Sequence, residues 1–203
     1  QGQTAASSLV SHQNPEFSPL PRWWVEETEV RGTLKLDSHF GFVGFKDITS
    51  PTNERTMIAA VIPWSAVTNH FVLILTQATP RLELCLLANL NTLALDYVTR
   101  QKIGGVTLNF FIVEQFPILA PDAYAERCPW EPKRKLEDWI SDRVLKLTCT
   151  ADDMRPLAEA AGFKKGVHKW KDAERAQLRA ELDAAYFHLY GLSRDEVEYV
   201  LTT

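Results

Sequence analysis

Hydrophobic and polar positions divide this 203-residue chain into halves of different period. From Trp24 to Ile62 the pattern predicts β-strands. "EVRGTLKL" (29–36) alternates, "FGFVGFKDI" (40–48) is aromatic and punctuated by glycine, and "TMIAAVI" (56–62) is a buried run. Pro51 and Asn53 place "TSPTNERT" (49–56) in a loop between the last two. "FVLILT" (71–76) fits a further strand. The period then lengthens: Leu82, Leu86, Leu90, Leu93 and Tyr97 share one side of a helix over 81–101. That helix starts after Pro80 and stops at Gly104-Gly105.

The second half is helical. Residues 133–147 carry an apolar stripe of Leu136, Trp139, Ile140, Val144 and Leu147, and "ADDMRPLAEAAG" (151–162) is a shorter helix ended by Gly162. A long helix over 171–190 bears Leu178, Leu182, Ala185 and Leu189 and stops at Gly191. Ser193, with Glu196 three positions on, reads as a capping box opening a last helix. Residues 1–21 are rich in Ser, Gln and Pro and read as a flexible lead-in. The expected layout is therefore an α/β (α+β) domain over 22–125, built on a mixed β-sheet, followed by a helical region over 126–203.

Composition adds bounds. At 45% hydrophobic the chain can bury a core. Residues 71–98, the most apolar region, are interrupted by Arg81, Glu83, Asn89, Asn91 and Asp96, which argues against a membrane span. The N-terminus lacks a basic segment followed by an apolar one, so no secretory signal is expected. Cys85, Cys128 and Cys149 have no Cys-x-x-Cys spacing and read as reduced thiols of a cytoplasmic protein. A net charge of −4 argues against a strongly basic nucleic-acid binder. Residues 31–115 are nonetheless close to neutral, with several cations beside turns, whereas 116–203 show the mixed signs of solvated helix faces.

The sequence alone offers no convincing active site. Asp122 followed by Glu131 and Lys133 mimics a metal-dependent nuclease pattern, which needs the acid and lysine side by side on a strand. Pro132 between them argues against that strand. "HFGFVGF" (39–45) lacks the spacing to cradle a phosphate and reads as a strand with close backbone packing. The five histidines are scattered, and Asn14-Pro15 is followed by Glu16 rather than the second proline of an amino-methyltransferase motif. No metal site is expected.

One stretch points further. "LLANLNTLALDYVTRQKIGGVTLNFFIVEQFPILAP" (86–121) resembles target-recognition domains of restriction–modification proteins. These include type I specificity subunits and the C-terminal regions of large fused N6-adenine DNA methyltransferases of the type IIG, BREX and DISARM kinds. "PRWWVEETEV" (21–30), "GFKDITSPTNERTMIAAVIP" (44–63) and "RAELDAAYFHLYGLSRDEVEYVL" (179–201) are similar to the same methyltransferases, in the same order. The chain departs from them after Pro63, where Trp64-Ser65 stand in place of an arginine often found there.

The resemblance implies a domain whose loops face double-stranded DNA, held by helices against an upstream methyltransferase domain that carries the S-adenosylmethionine site; this chain itself holds no cofactor. The implied DNA-contacting residues are Lys46, Asn53, Arg55, Thr56, Arg100, Gln101, Lys102, Thr107 and Asn109. Asn53, Arg55 and Thr56 have donors and acceptors suited to base edges or phosphate, and the 49–56 loop reads equally as an ordinary polar connection. Arg100, Gln101 and Lys102 end a helix, where cations are favourable in any case. On this reading the double glycine turns the chain off the helix towards a duplex, while Phe110, Phe111 and Ile112 pin its exit to the core. Two alternatives stand beside it: a protein–protein docking module of the same system, and the nuclease built on Asp122, Glu131 and Lys133.

Overall fold

The computed structural model describes residues 7–21, 23–34, 40–164 and 166–202. The first half contains α1 (Leu9–Gln13), α2 (Glu27–Leu34), β1 (Phe42–Lys46), β2 (Ala59–Ile62), β3 (Phe71–Ile74), α3 (Pro80–Leu90), α4 (Leu93–Lys102) and α5 (Phe110–Val113). The second half contains β4 (Arg127–Cys128), β5 (Glu131–Lys135), α6 (Leu136–Thr148), α7 (Arg155–Ala160), α8 (Asp172–Leu189) and α9 (Arg194–Thr202). The fold class is α+β, and both sheets are antiparallel.

The larger sheet has the order β2-β1-β3 and is centred on Gly44, which pairs with Ala60 on one side and Leu73 on the other. A Cβ at Gly44 would lie 2.5 Å from the Phe71 ring and 2.6 Å from the Val72 carbonyl oxygen, so only glycine lets β3 close against β1. The glycine-punctuated stretch is thus a tightly packed strand, as its sequence predicts.

One core joins the halves. Val43, Leu84, Cys85 and Leu87 from the first half are buried with Leu136, Ile140, Val144, Leu182 and Tyr186 from the second. The junction at 125 and 126 lies inside this shared packing. A second cluster (Phe45, Met57, Leu90, Leu95, Leu108, Ile112) sits under α4 and the turn that follows it. All three cysteines are buried free thiols, and burial pushes the Cys149 thiol up to about 11.

The expected and observed elements differ in instructive places. The described part of "EVRGTLKL" is helix, not strand; Lys35 and Leu36 lie outside the described residues. Glu27 and Glu29 in the first turn of α2 favour its N-terminus, and Arg31 pairs with Glu27 one turn back. The Arg31 guanidinium also lies 4.8 Å from the Trp64 ring. Two helices replace the one expected over 81–101, because Asn91 and Thr92 spend their side chains on the backbone. Asn91 donates to the Leu87 carbonyl at 2.9 Å, and Thr92 caps α4 by accepting from the Leu95 amide. Residues 131–135 form a strand despite Pro132, in a two-stranded ribbon where proline is tolerated, so α6 starts at Leu136. The lead-in contains α1, whose His12 ring stacks on Trp170 at 4.5 Å while the Pro15 carbonyl accepts from the Asp152 amide.

A buried polar chain fixes the extended segment 117–121. Asn89, fully buried, accepts from the Leu119 amide at 2.9 Å and donates to the Tyr190 hydroxyl at 2.7 Å. Tyr190 in turn donates to the Pro117 carbonyl, and Tyr186 donates to the Cys85 carbonyl. Burial pushes the Tyr186 hydroxyl well above its ordinary value, so it stays a proton donor.

The stripe of α8 is core rather than a free arm: Leu182 is 7% exposed and Tyr186 completely buried. Leu182→Ala should lower stability by about 2–5 kcal/mol in urea denaturation, the usual cost of a large-to-small core change. An unchanged midpoint would mean that α8 does not pack as described.

Candidate nucleic-acid interface

The 49–56 loop is built around one carboxylate. Asp96, on the inner face of α4, is 2% exposed. Its Oδ1 accepts the Thr56 and Met57 amides at 2.6 and 2.8 Å, and its Oδ2 accepts Arg100 Nε at 2.8 Å. Arg100 carries the clamp outward. Its Nη1 donates to the Pro51 carbonyl at 2.9 Å, and its Nη2 donates to the Asn53 and Glu54 carbonyls at 2.9 and 3.0 Å. Thr49 completes the loop by donating to the Thr56 carbonyl at 2.7 Å.

The turn after α4 lies alongside. The Thr49 amide donates to the Val106 carbonyl, the Leu108 amide to the Asp47 carbonyl, and Ile48 bridges Thr107. Residues 106–108 therefore run antiparallel to 47–49, bringing the 50–55 loop and the glycine turn to one side of the domain. Ile103, in extended conformation, ends α4. Gly104 and Gly105 are exposed, neither adopts positive φ, and an added Cβ would meet nothing within 4 Å at either. Nothing in the described fold requires glycine at either position.

This arrangement sorts the expected contact residues. Asn53, Gln101, Lys102 and Asn109 are exposed, and so is Lys46 at the end of β1. Lys102 Nζ lies 3.3 Å from the Gln115 amide oxygen. Thr107 is half-buried in its bridge to Ile48. Three residues take other roles. Thr56 is fully buried and cannot reach a base edge. Arg100 spends its guanidinium on four acceptors inside the chain. Arg55 turns away to Asp183 of α8, its Nη2 donating to Oδ2 at 3.2 Å with its side chain 28% exposed. Asp183 also accepts the Leu93 amide at the start of α4, at 2.7 Å. Burial still pushes the Asp183 carboxyl above its ordinary value, against the opposing pull of that amide and of Arg55. Phe110 and Phe111, expected in the core, are 64% and 61% exposed, and only Ile112 is buried.

Sequence reasoning missed Asp96 and Asp183, the two residues that position the loop. Asp96 carried a signal: an acid four residues before Arg100, next to Leu95 in a helix with a leucine stripe. Asp183 carried none, because its partner Arg55 is 128 residues away. Despite Pro132, the acid and lysine of the nuclease pattern do share a strand, and only Asp122 lies on a separate element. Glu131 and Lys133 lie on β5, Asp122 on a 3-10 turn over Pro121–Ala125, and Glu131 is 3.9 Å from Arg134. Among the described residues no group of three His, Cys, Asp or Glu side chains is placed to hold a metal ion.

Asp96→Ala should release the loop, leaving two buried amides without an acceptor and Arg100 without its carboxylate. A loss of about 3–5 kcal/mol follows. Amide exchange at Thr56 and Met57 should quicken far more than in β1. Uniform quickening across the chain would deny the local clamp.

No protein-family model, no curated protein and no solved structure matches this chain.

Proposed function

We propose that this chain is the DNA-recognising part of a restriction–modification or phage-defence adenine-specific DNA methyltransferase, acting in the cytoplasm. The S-adenosylmethionine site would belong to an upstream domain of the parent protein. Four stretches similar to fused methyltransferases, in the same order, support this reading. The observation that carries it furthest is the Gly104-Gly105 turn. Glycines that neither φ nor internal packing requires fit a backbone that something outside the chain approaches closely. Gln101, Lys102 and Asn109 flank that turn, and the rigid 50–54 loop with Asn53 lies beside it. A preorganised loop loses little entropy on contact, which favours selective recognition.

Few cations serve this surface. With Arg55 and Arg100 engaged inside the chain, Lys46 and Lys102 are the remaining expected phosphate contacts, so binding by this chain is weak and electrostatic. Docking to another protein is the second reading, favoured by the exposed Phe110, Phe111 and Val106 beside the turn.

Titration of a mixed-sequence duplex should give a log Kd against log salt slope of about 2, one unit for each phosphate contact. Lys102→Ala should flatten it by about one unit for every duplex tested. Binding that ignores salt counts against DNA as the partner.

Gly105→Val provides the sharper test. The site has room for the side chain, so melting should stay within a few degrees of the parent. Duplex affinity should fall at least tenfold, because the new side chain occupies the approach. Unchanged affinity removes the turn from the interface.

A further inference from the structure

A cleft of about 530 Å³ opens between β2, α3, α6 and α8. That size falls within the range of ligand-binding clefts, roughly 300–1,000 Å³. Leu87, Val144, Leu147 and Leu182 supply apolar lining. The remaining lining has two features that the fold leaves partly open.

The first is a strand edge. β2 lies at the border of its sheet, with β1 on its inner side. The Lys46 amide donates to the Ile58 carbonyl, so in this antiparallel register residues 58, 60 and 62 face β1 and residues 59 and 61 face outward. Ala59 is already engaged: Asn91 accepts from its amide at 3.2 Å and donates to its carbonyl at 3.1 Å. The Val61 amide and carbonyl have no hydrogen-bond partner among the described residues, and Val61 lines the cleft.

The second is unbalanced charge. Arg175 and Arg179 stand one turn apart on α8 and both line the cleft, a like-charge spacing that destabilises a helix unless something offsets it. Arg175 stacks 3.5 Å over Trp170 and donates to the Leu147 carbonyl. Arg179 is exposed and makes no ion pair among the described residues. The acids of α8 near them are engaged elsewhere: Glu174 with Lys146 and Lys171, Glu181 with Arg143, and Asp183 with Arg55. Asp172 accepts from the Trp170 indole and also favours the charge on Arg175, so Arg179 is the less compensated of the two. Glu54 is the remaining carboxylate in the lining.

We propose that this cleft binds an extended acidic peptide segment, which adds to β2 at Val61, sets an aliphatic side chain on the apolar lining and places a carboxylate on Arg175 and Arg179. Several anions with an apolar body would satisfy the arginines and the lining. Only a peptide also uses a donor and an acceptor on one strand residue, the pattern of strand addition. The site is independent of the glycine turn and does not rest on DNA recognition.

The test titrates the 15N-labelled 203-residue chain with the blocked peptide acetyl-Ser-Val-Glu-Val-Asp-Ser-amide. Its Gln/Asn counterpart and octanoate serve as comparisons. Saturable binding with a downfield shift and slowed exchange of the Val61 amide is expected. The Gln/Asn peptide and the exposed-site variant Arg179→Glu should each weaken binding at least tenfold, with the variant's melting unchanged. Three results overturn the proposal: no saturable binding at millimolar peptide; saturable shifts around Arg175 and Arg179 that leave Val61 unmoved; or octanoate binding as tightly as the peptide, which makes the cleft a small-amphiphile site.

Discussion

A single buried carboxylate organises the polar side of this domain. Buried at 2% exposure, Asp96 would be costly if left alone, since removing a charge from water costs several kcal/mol before any compensation. Two adjacent amides, of Thr56 and Met57, and the Arg100 guanidinium one turn along the same helix provide that compensation. The cost of burying Asp96 is therefore met only when α4, the start of β2 and the 50–54 loop are all in place. A loop of polar residues acquires one conformation because its neighbour cannot be solvated otherwise.

The same logic recurs along a short stretch of sequence. Asn89, Asn91 and Asp96 lie around the break between α3 and α4 that Thr92 caps, and each of the three directs its side chain to backbone in a different segment. Asn89 holds the extended segment at Leu119, Asn91 holds β2 at Ala59, and Asp96 holds the loop at Thr56. A continuous helix over 81–101 would point these side chains along one regular spiral. The break lets them face three directions, and α8 joins the set when Asp183 accepts the first free amide of α4. Junctions between elements here are polar and directional, and the core beneath combines aliphatic packing with buried aromatics, Tyr186 among them.

That division explains what could be read from the sequence. Strands β1, β2 and β3, helices α6 and α8 and the capping box at Ser193 were legible because period, turn residues and caps are local. α2 was misread because a helix of eight residues with Gly32 inside shows too little periodicity to outvote a short alternation. The break at Asn91 was hidden because the leucine spacing continues across it. Among the candidate site residues, exposure of Asn53, Gln101, Lys102 and Asn109 followed from their places in a loop or at a helix end. The fates of Arg55, Thr56 and Arg100 did not, since each depends on a partner brought close only by the tertiary fold. An arginine on a polar loop looks the same in sequence whether it faces solvent or an internal acid.

The Asn91 amide group has one more effect, on how the molecule behaves among its own copies. An open sheet border is a template for another chain, and several consecutive unpaired residues are enough to start edge-to-edge association. By lying along β2 and matching the amide and carbonyl of Ala59, this side chain acts as a one-residue false strand. What remains open on that border is Val61, a short docking point rather than a continuous edge. The helix break that frees Asn91 thereby also closes part of the β2 border to a neighbouring copy.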